Sequence, residues 1–469
     1  MSFMKKSAAA LVLTGVAAAT STALAAGFQL TEQSSLGAGR AYAGAGIVGD
    51  DLSAVHYNPA GMTLLEGTRF QAGGVWIGIN ADYKGKSGDS ENGRLKGQMI
   101  PAGYVTHQVN DQIWLGFGMT VPYGMGTEYS RDWEGRDRGT SAKIYTFDMN
   151  PNIAWKVSEY ISVGAGVSVQ YAKAKLGMGM KTPASLNKFG LGEKDIAHAK
   201  VEADSWDWGY NLGIMISPTD TLRFGLAYRS AIEHEAEGDV KLSNFSSEIS
   251  QLLGEGLTSL LAGGYTMGTS ATLETPDTVM LTGTWEATDK LRLSGLIRWA
   301  NWSNFDELTL NNDLSSGVAS ALESQLGQSI GGIIGQDNGG SVLGPAIAGQ
   351  LVDGMKTTTL ENKWKDTWLF SIGADYRIND AFTVRGGVAY ETSPIDHQET
   401  RMAVIPDTDR VWLSLGASWY PTQDLQFDIG GTYLMGVGDK DLYNSDGKKI
   451  GKYDSLDAYL LGVQMQYRF

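Results

Sequence analysis

The sequence has 469 residues, 42% hydrophobic and 19% charged, with a mean hydropathy of -0.17. That is too polar for a bundle of membrane-spanning helices, each of which needs about 20 consecutive apolar residues. A formal charge of -15 offers no basic face to nucleic acid, and the lack of cysteine removes disulfides, thiolate metal sites and cysteine nucleophiles.

Lys5 and Lys6 precede an Ala/Leu-rich run from Ser7 to Ala19, and Ala23-Leu24-Ala25 supplies a small-residue cleavage site. Residues 1–25 therefore read as a signal peptide for export. Its removal takes two lysines and leaves the mature chain more acidic still. Residues 26–66 show no continuous alternation and are rich in small residues, which suits a plug inside a barrel.

From residue 67 the pattern changes to period two, the signature of strands. Fourteen segments carry it, near 68–83, 99–109, 112–123, 143–156, 160–175, 204–216, 221–238, 271–285, 290–304, 360–377, 381–395, 409–420, 424–438 and 453–469. Most exceed the five or six residues of a soluble strand, and several reach the roughly 9 to 11 tilted residues that cross a bilayer. In the last one, Tyr459, Leu461, Val463, Met465, Tyr467 and Phe469 alternate with Leu460, Gly462, Gln464, Gln466 and Arg468.

The links alternate between tight turns, such as Asn110-Asp111 and Asn379-Asp380, and longer loops. Glycine at 61 residues beside 13 Trp, 20 Tyr and 13 Phe fits the same picture. The predicted fold is all-β, a 14-stranded antiparallel transmembrane β-barrel over 67–469 with a hatch in 26–66 and both ends on the periplasmic side. A large periplasmic β-sandwich, the competing reading of this composition, is disfavoured by strand length and spacing.

Three outer loops, 176–203, 239–270 and 305–359, are long. The second carries Phe245, Ile249, Leu252, Leu253, Leu257, Leu260 and Leu261 at helical spacing, and the third Leu314, Val318, Leu322, Leu326, Ile330 and Ile333. These read as amphipathic helices above the barrel, and their apolar faces either pack on the rim or receive an apolar ligand. Tyr467 and Phe469 close the chain with the aromatic ending by which such barrels are recognised for insertion.

Residues Gly27 to Gly44, GFQLTEQSSLGAGRAYAG, are followed by Asp50-Asp51 and Asn58-Pro59-Ala60. This segment resembles the hatch of the outer-membrane long-chain fatty acid and hydrocarbon transporter family of FadL/TodX type. The resemblance continues through Tyr123 to Glu128, Tyr171 to Lys175, Tyr228-Arg229-Ser230 and Ile405 to Leu413, and covers essentially the whole mature chain. It implies a monomeric uptake channel for long-chain fatty acids or related hydrophobic molecules, set among outer-membrane lipid and lipopolysaccharide and inserted by the barrel assembly machinery. It also implies a gating role for Asn58, Pro59 and Ala60, and a kink in the third strand at Pro122-Tyr123-Gly124 that opens the wall sideways. Proline removes a ladder donor and glycine tolerates a bulge, so the local chemistry agrees.

Burying roughly 15 methylenes at about 0.8 kcal/mol each is worth on the order of 12 kcal/mol, so capture is easy and release needs a moving part. Family head-group contacts come from the upper fifth strand and the segment before the tenth, where Met178 and Leu360 stand here. Lys365 and Lys173 are the nearest cationic substitutes, although Lys173 falls on the outward phase. The remaining inward cations, Arg223, Arg229, Arg292, Arg298, Lys363, Arg377, Arg385 and Arg410, are expected mostly to pair with Asp375, Glu391, Asp428, Asp50 or Asp51.

No cofactor, metal or catalytic group is expected, because the five histidines are scattered and no Gly-x-Ser-x-Gly elbow occurs. Gly44 to Gly49 satisfies G-x-G-x-x-G with no strand before it, so it marks no dinucleotide site. The rival readings are a general polar porin and a barrel-embedded lipid hydrolase.

Overall fold

The structure, a computed structural model, describes residues 27–92, 95–181, 195–246, 263–335, 339–444 and 447–469. Fourteen strands run around it: β1 Thr68–Gly85, β2 Leu95–Gln108, β3 Ile113–Thr120 with Gly124–Glu128, β4 Ser141–Lys156, β5 Ile161–Lys181, β6 Asp195–Thr219, and β7 Leu222–Arg229 with Glu233–Ser243. β8 comprises Tyr265–Glu274 and Thr278–Glu286, and the rest are β9 Leu291–Ala300, β10 Thr367–Asn379, β11 Phe382–Glu391, β12 Arg410–Trp419, β13 Leu425–Gly436 and β14 Lys449–Arg468. Each pairs antiparallel with its neighbours in the chain, and β1 pairs with β14, Arg69 opposite Arg468 through Gly85 opposite Gly451. The barrel is closed, which leaves no lipid-exposed sheet edge at the seam.

The outward phase is the apolar one. On β14, Tyr459, Leu461 and Val463 are exposed while Leu460, Gln464 and Gln466 are buried, as lipid outside and a packed lumen require. Aromatic pairs mark the two membrane boundaries, with Tyr433 beside Tyr459 toward the long loops and Trp419 beside Phe427 toward the short turns.

Several boundaries differ from the sequence reading. β5, β6, β7 and β8 extend well beyond the membrane, so the loops read as 176–203 and 239–270 begin and end inside strands. Two segments read as continuous, 221–238 and 271–285, are broken at 230–232 and 275–277. There the Asp277 carboxylate takes the Ala231 N–H and the Tyr228 hydroxyl, and the Thr275 hydroxyl takes the Ile232 N–H, so side chains replace ladder partners. The helical spacing read from Ile249 to Leu261 lies outside the described residues.

In the third loop two helices stand antiparallel, α1 Ser316–Ile334 and α2 Gly340–Lys356. Leu322, Leu326 and Ile330 of α1 pack on Ala348 and Val352 of α2. The sequence pattern pointed to α1 alone, because glycines and Pro345 dilute the apolar spacing of α2. A short hairpin, Glu307–Asn312 with Thr357–Glu361, carries the helices and continues the ladder of β8.

Candidate functional site

Residues 27–66 fill the lumen and touch both sides of it. Ser35 and Leu36 N–H groups donate to Gln464 of β14, while the Asn58 amide donates to the Ile214 carbonyl of β6 at 3.1 Å. The Asn58 side-chain oxygen Oδ1 caps the next turn by accepting from Ala60 N–H at 3.1 Å. The cross-strand glycines Gly164 and Gly213 make room for this turn. A methyl group at Gly213 would lie 2.1 Å from Asn58 Oδ1, and one at Gly164 would lie 2.6 Å from Ala60 N. Gly213→Val should therefore cost roughly 2–3 kcal/mol by overpacking this seat. A lower Tm and the appearance of ion conductance in planar bilayers are the expected readouts; an unchanged Tm with a silent bilayer would count against the tight seat.

A charge network holds the middle of the same segment. Arg40 pairs with Asp50 at 2.7 Å and with Asp375 of β10, and Arg292 of β9 reaches Asp50 and Glu286. Arg385 joins Asp375 at 3.0 Å and approaches Asp428. These inward arginines are paired, as expected from the cost of an isolated buried charge.

The first residues of the segment are held differently. Gln29 forms a lone antiparallel bridge with Tyr123, with Leu30 N–H donating to the Pro122 carbonyl at 2.8 Å and Gly124 N–H donating to the Phe28 carbonyl at 2.9 Å. The ladder of β2 with β3 ends at Gly103 opposite Met119, although β2 continues to Leu95 with β1 on its other edge. At the kink, therefore, β3 pairs with the hatch where its own neighbour has left. Gln33 closes the junction, its side chain bonding both the N–H and the carbonyl of Val121. On the far edge, Tyr123 keeps both backbone groups paired with Thr146 of β4.

Phe28 projects from this junction into an aromatic box. Its ring lies 4.8 Å from Trp302, 5.8 Å from Phe305 and 6.0 Å from Trp364, and Tyr123 adds a fourth wall at 6.0 Å. Gly27 has φ +66, and a side chain there would strike Trp364 at 2.5 Å. Its N–H donates to Asp407 at 2.6 Å. Below the box a cavity of about 50 Å³ is lined by Leu30, Thr31, His56, Tyr123, Arg229 and Arg298, among others. Ligand pockets run to roughly 300–1,000 Å³, so this cavity is well below that size.

Five charges surround the junction. Arg298 bonds Thr31 and Glu391 at 2.8 Å each, and Arg410 bonds Asp407 at 2.5 Å and approaches Glu391. Glu32 completes the set and is fully buried; burial pushes its carboxyl up to about 7, with Glu391 adding to the rise. One of its oxygens has no hydrogen-bond partner among the described residues. Strand phase placed Arg298, Arg410 and Glu391 inward, on β9, β12 and β11, but it could not reveal Glu32 and Asp407, which come from the hatch and the loop before β12.

The two lysines named from sequence lie far from each other in role. Lys365 follows the box residue Trp364, is half exposed and pairs with Asp396 at 3.3 Å. Lys173 faces outward beside Lys175, both reaching Glu202, so it does not line the lumen. Tyr467 and Phe469 are exposed at the short-turn rim, their rings edge to face at 4.9 Å. The box residues Trp302, Phe305 and Trp364 went unnamed in the sequence reading, and the aromatic spacing W-x-x-F in the loop after β9 was the available signal.

Residues 16–469 match the family described as outer membrane protein transport protein (OMPP1/FadL/TodX). The chain belongs to this family. The long-chain fatty acid transport protein of Escherichia coli O6:H1 is 28% identical, with 97% of each chain covered. Outer membrane protein P1 of Haemophilus influenzae is also 28% identical, over 99% of this chain and all of that protein. Among solved structures, a Pseudomonas aeruginosa FadL homologue superposes with a TM-score of 0.77 at 25% identity, covering 95% of this chain and all of the other. The Ralstonia pickettii toluene transporter TbuX shares the fold at a TM-score of 0.63 and 16% identity, over 95% and 99% of the two chains. This FadL/TodX-family chain is thus a β-barrel of the Gram-negative outer membrane, and its family is one of transporters, not enzymes.

Proposed function

We propose that the protein takes up long-chain fatty acids or related hydrophobic compounds and releases them sideways through the gap at the β3 kink. The observation that carries this reading is the shared junction at Gln29 and Tyr123: the backbone that closes the gap is continuous with the ring that fills the aromatic box. A ligand entering the box displaces Phe28, and the same displacement strips the hatch from Pro122 and Gly124. Binding energy is thereby coupled to opening, since the ligand has a contact available only in the open arrangement. The anchored parts, Arg40 with Asp50 and Asn58 with its glycine seat, keep the rest of the hatch in place, so Asn58, Pro59 and Ala60 serve as the fixed end of the gate.

Capture falls to the loops. The helical hairpin's apolar cluster meets a second one, Val240, Leu242 and Met267 with Met178 and Met180, at Phe245, Tyr265 and Leu314. Together they form one apolar layer, its central side chains buried in this conformation, at the long-loop rim where a ligand first arrives. In this reading Lys365, next to the box residue Trp364, receives the carboxylate, and Tyr467 with Phe469 serves as the assembly signal.

Phe28→Ala vacates the box and is expected to raise the affinity of the purified protein for a labelled long-chain fatty acid about tenfold. Equal or weaker binding would sink the competition between ring and ligand. Lys365→Ala should weaken the fatty acid several-fold and leave a neutral hydrocarbon unchanged; equal effects on both would deny it a head-group role. A large steady conductance from the intact protein would favour the porin reading.

A further inference from the structure

Lys173 points away from the lumen, and its surroundings indicate another use. Tyr145, Tyr171 and Trp206 form an outward aromatic row on β4, β5 and β6, with ring centroids 6.3 and 5.2 Å apart. Such rows mark the edge of the hydrocarbon layer. Immediately above, on the same outward phase, stand Lys143, Lys173, Lys175 and Lys200. Lys143 is opposite Lys175, Tyr145 is opposite Lys173, and Gly177 is opposite Lys200. Lys173 and Lys175 lie one and two pleats beyond Tyr171, about 7 and 13 Å along a tilted strand.

We propose that Lys143, Lys173, Lys175 and Lys200 form a binding site for the phosphate groups of lipid A in the outer leaflet.

Two features make this array more than a solvated charge run. Lys173 and Lys175 converge on a single carboxylate, Glu202, at 2.7 and 2.8 Å, which fixes both ammonium groups side by side while leaving further N–H donors on each. The other acids nearby are Glu128, highly exposed and 3.9 Å from Lys143, Asp204, which takes the Tyr171 hydroxyl, and Glu237 and Asp239 of β7, which stand opposite Asp204 and Glu202. On β4 and β5, Lys143, Lys173 and Lys175 share this outward phase with no acid of their own strands, at a level where an anionic leaflet carries its phosphates. The next strand bounds the site by repulsion, because Glu233, Glu235, Glu237 and Asp239 of β7 occupy the corresponding outward positions. In a chain of net charge -15 this cationic array next to an acidic one specifies an orientation for the lipid.

The inference rests on the membrane placement of the barrel and not on the transport mechanism. The test uses the purified full barrel in nonionic detergent, incubated with bisphosphorylated lipid A, monophosphoryl lipid A or phosphatidylglycerol, with bound lipid counted by native mass spectrometry. Wild-type protein should retain bisphosphorylated lipid A at least about tenfold better than the K143Q/K173Q/K175Q variant. A K84Q/K452Q variant, altered on the outer face of β1 and β14, should retain it like wild type. The triple variant binding lipid A as wild type does would overturn the proposal. So would equal retention of all three lipids, which would mean that phosphate is not being recognised.

Discussion

A disulfide between residues 29 and 123 is expected to abolish uptake, and its reduction to restore it. Gln29 and Tyr123 are a non-hydrogen-bonded antiparallel pair, flanked by the bonds Leu30 to Pro122 and Gly124 to Phe28. Such pairs bring Cα atoms to about 4.5 Å, close enough for a bridge. The chain has no cysteine of its own, so Gln29→Cys with Tyr123→Cys forms one defined cross-link. In the oxidised protein the hatch strand cannot leave the kink. Labelled fatty acid uptake by cells should then fall at least about tenfold, while folded barrel in the membrane stays at its normal level. The reduced double variant and each single variant control for loss of the Tyr123 ring. Full uptake with the bridge formed would mean that ligand leaves by another path, and the coupling between box and wall would have to be abandoned.

The second large effect is on pH. Closed, Glu32 is buried with Glu391, Arg298 and Arg410, and its carboxyl is raised to about 7; in water it returns to about 4.5. The closed hatch therefore binds a proton more tightly than the open one. Its extra stability is fully present below about pH 4.5 and is lost as pH rises through 7. The difference amounts to about 3 kcal/mol at most, on the order of a few hundredfold in the opening equilibrium. A neutral hydrocarbon that binds the open form should bind more tightly at pH 8 than at pH 5, and a neutral probe keeps the ligand's own ionisation out of the measurement. Glu32→Gln preserves the shape, keeps the closed form neutral at every pH and should flatten the curve. A wild-type profile that is already flat, or one steep in the opposite direction, would remove Glu32 from the latch.

The two experiments probe the same junction through different physics, one by covalent constraint and one by the cost of burying a charge. The arginines behave otherwise. Arg40, Arg292 and Arg385 are shared among Asp50, Glu286, Asp375 and Asp428, and this network serves as an anchor.

The sequence by itself determined the barrel. Lipid on one face and a packed lumen on the other force every second residue to be apolar, and that alternation from Tyr459 to Phe469 is readable without coordinates. The kink was implied by the family resemblance, and the local chemistry agreed with it, because Pro122 cannot donate to a ladder and Gly124 follows it closely. The amphipathic helix α1 also showed itself, since Leu322, Leu326 and Ile330 recur at one face's spacing. The direction of Lys173 could likewise be read from the phase of its strand.

Only the tertiary structure decided what closes the gap. The partner of the kink is Gln29, almost a hundred residues earlier, and Phe28 meets Trp302 and Trp364 from the two ends of the long connection between β9 and β10. Local periodicity carries no record of such pairings, because each contact depends on how the closed cylinder brings distant strands to one level. The same holds for Glu32, whose ordinary-looking carboxyl becomes a proton acceptor near neutrality only because residues from three other parts of the chain exclude water from it.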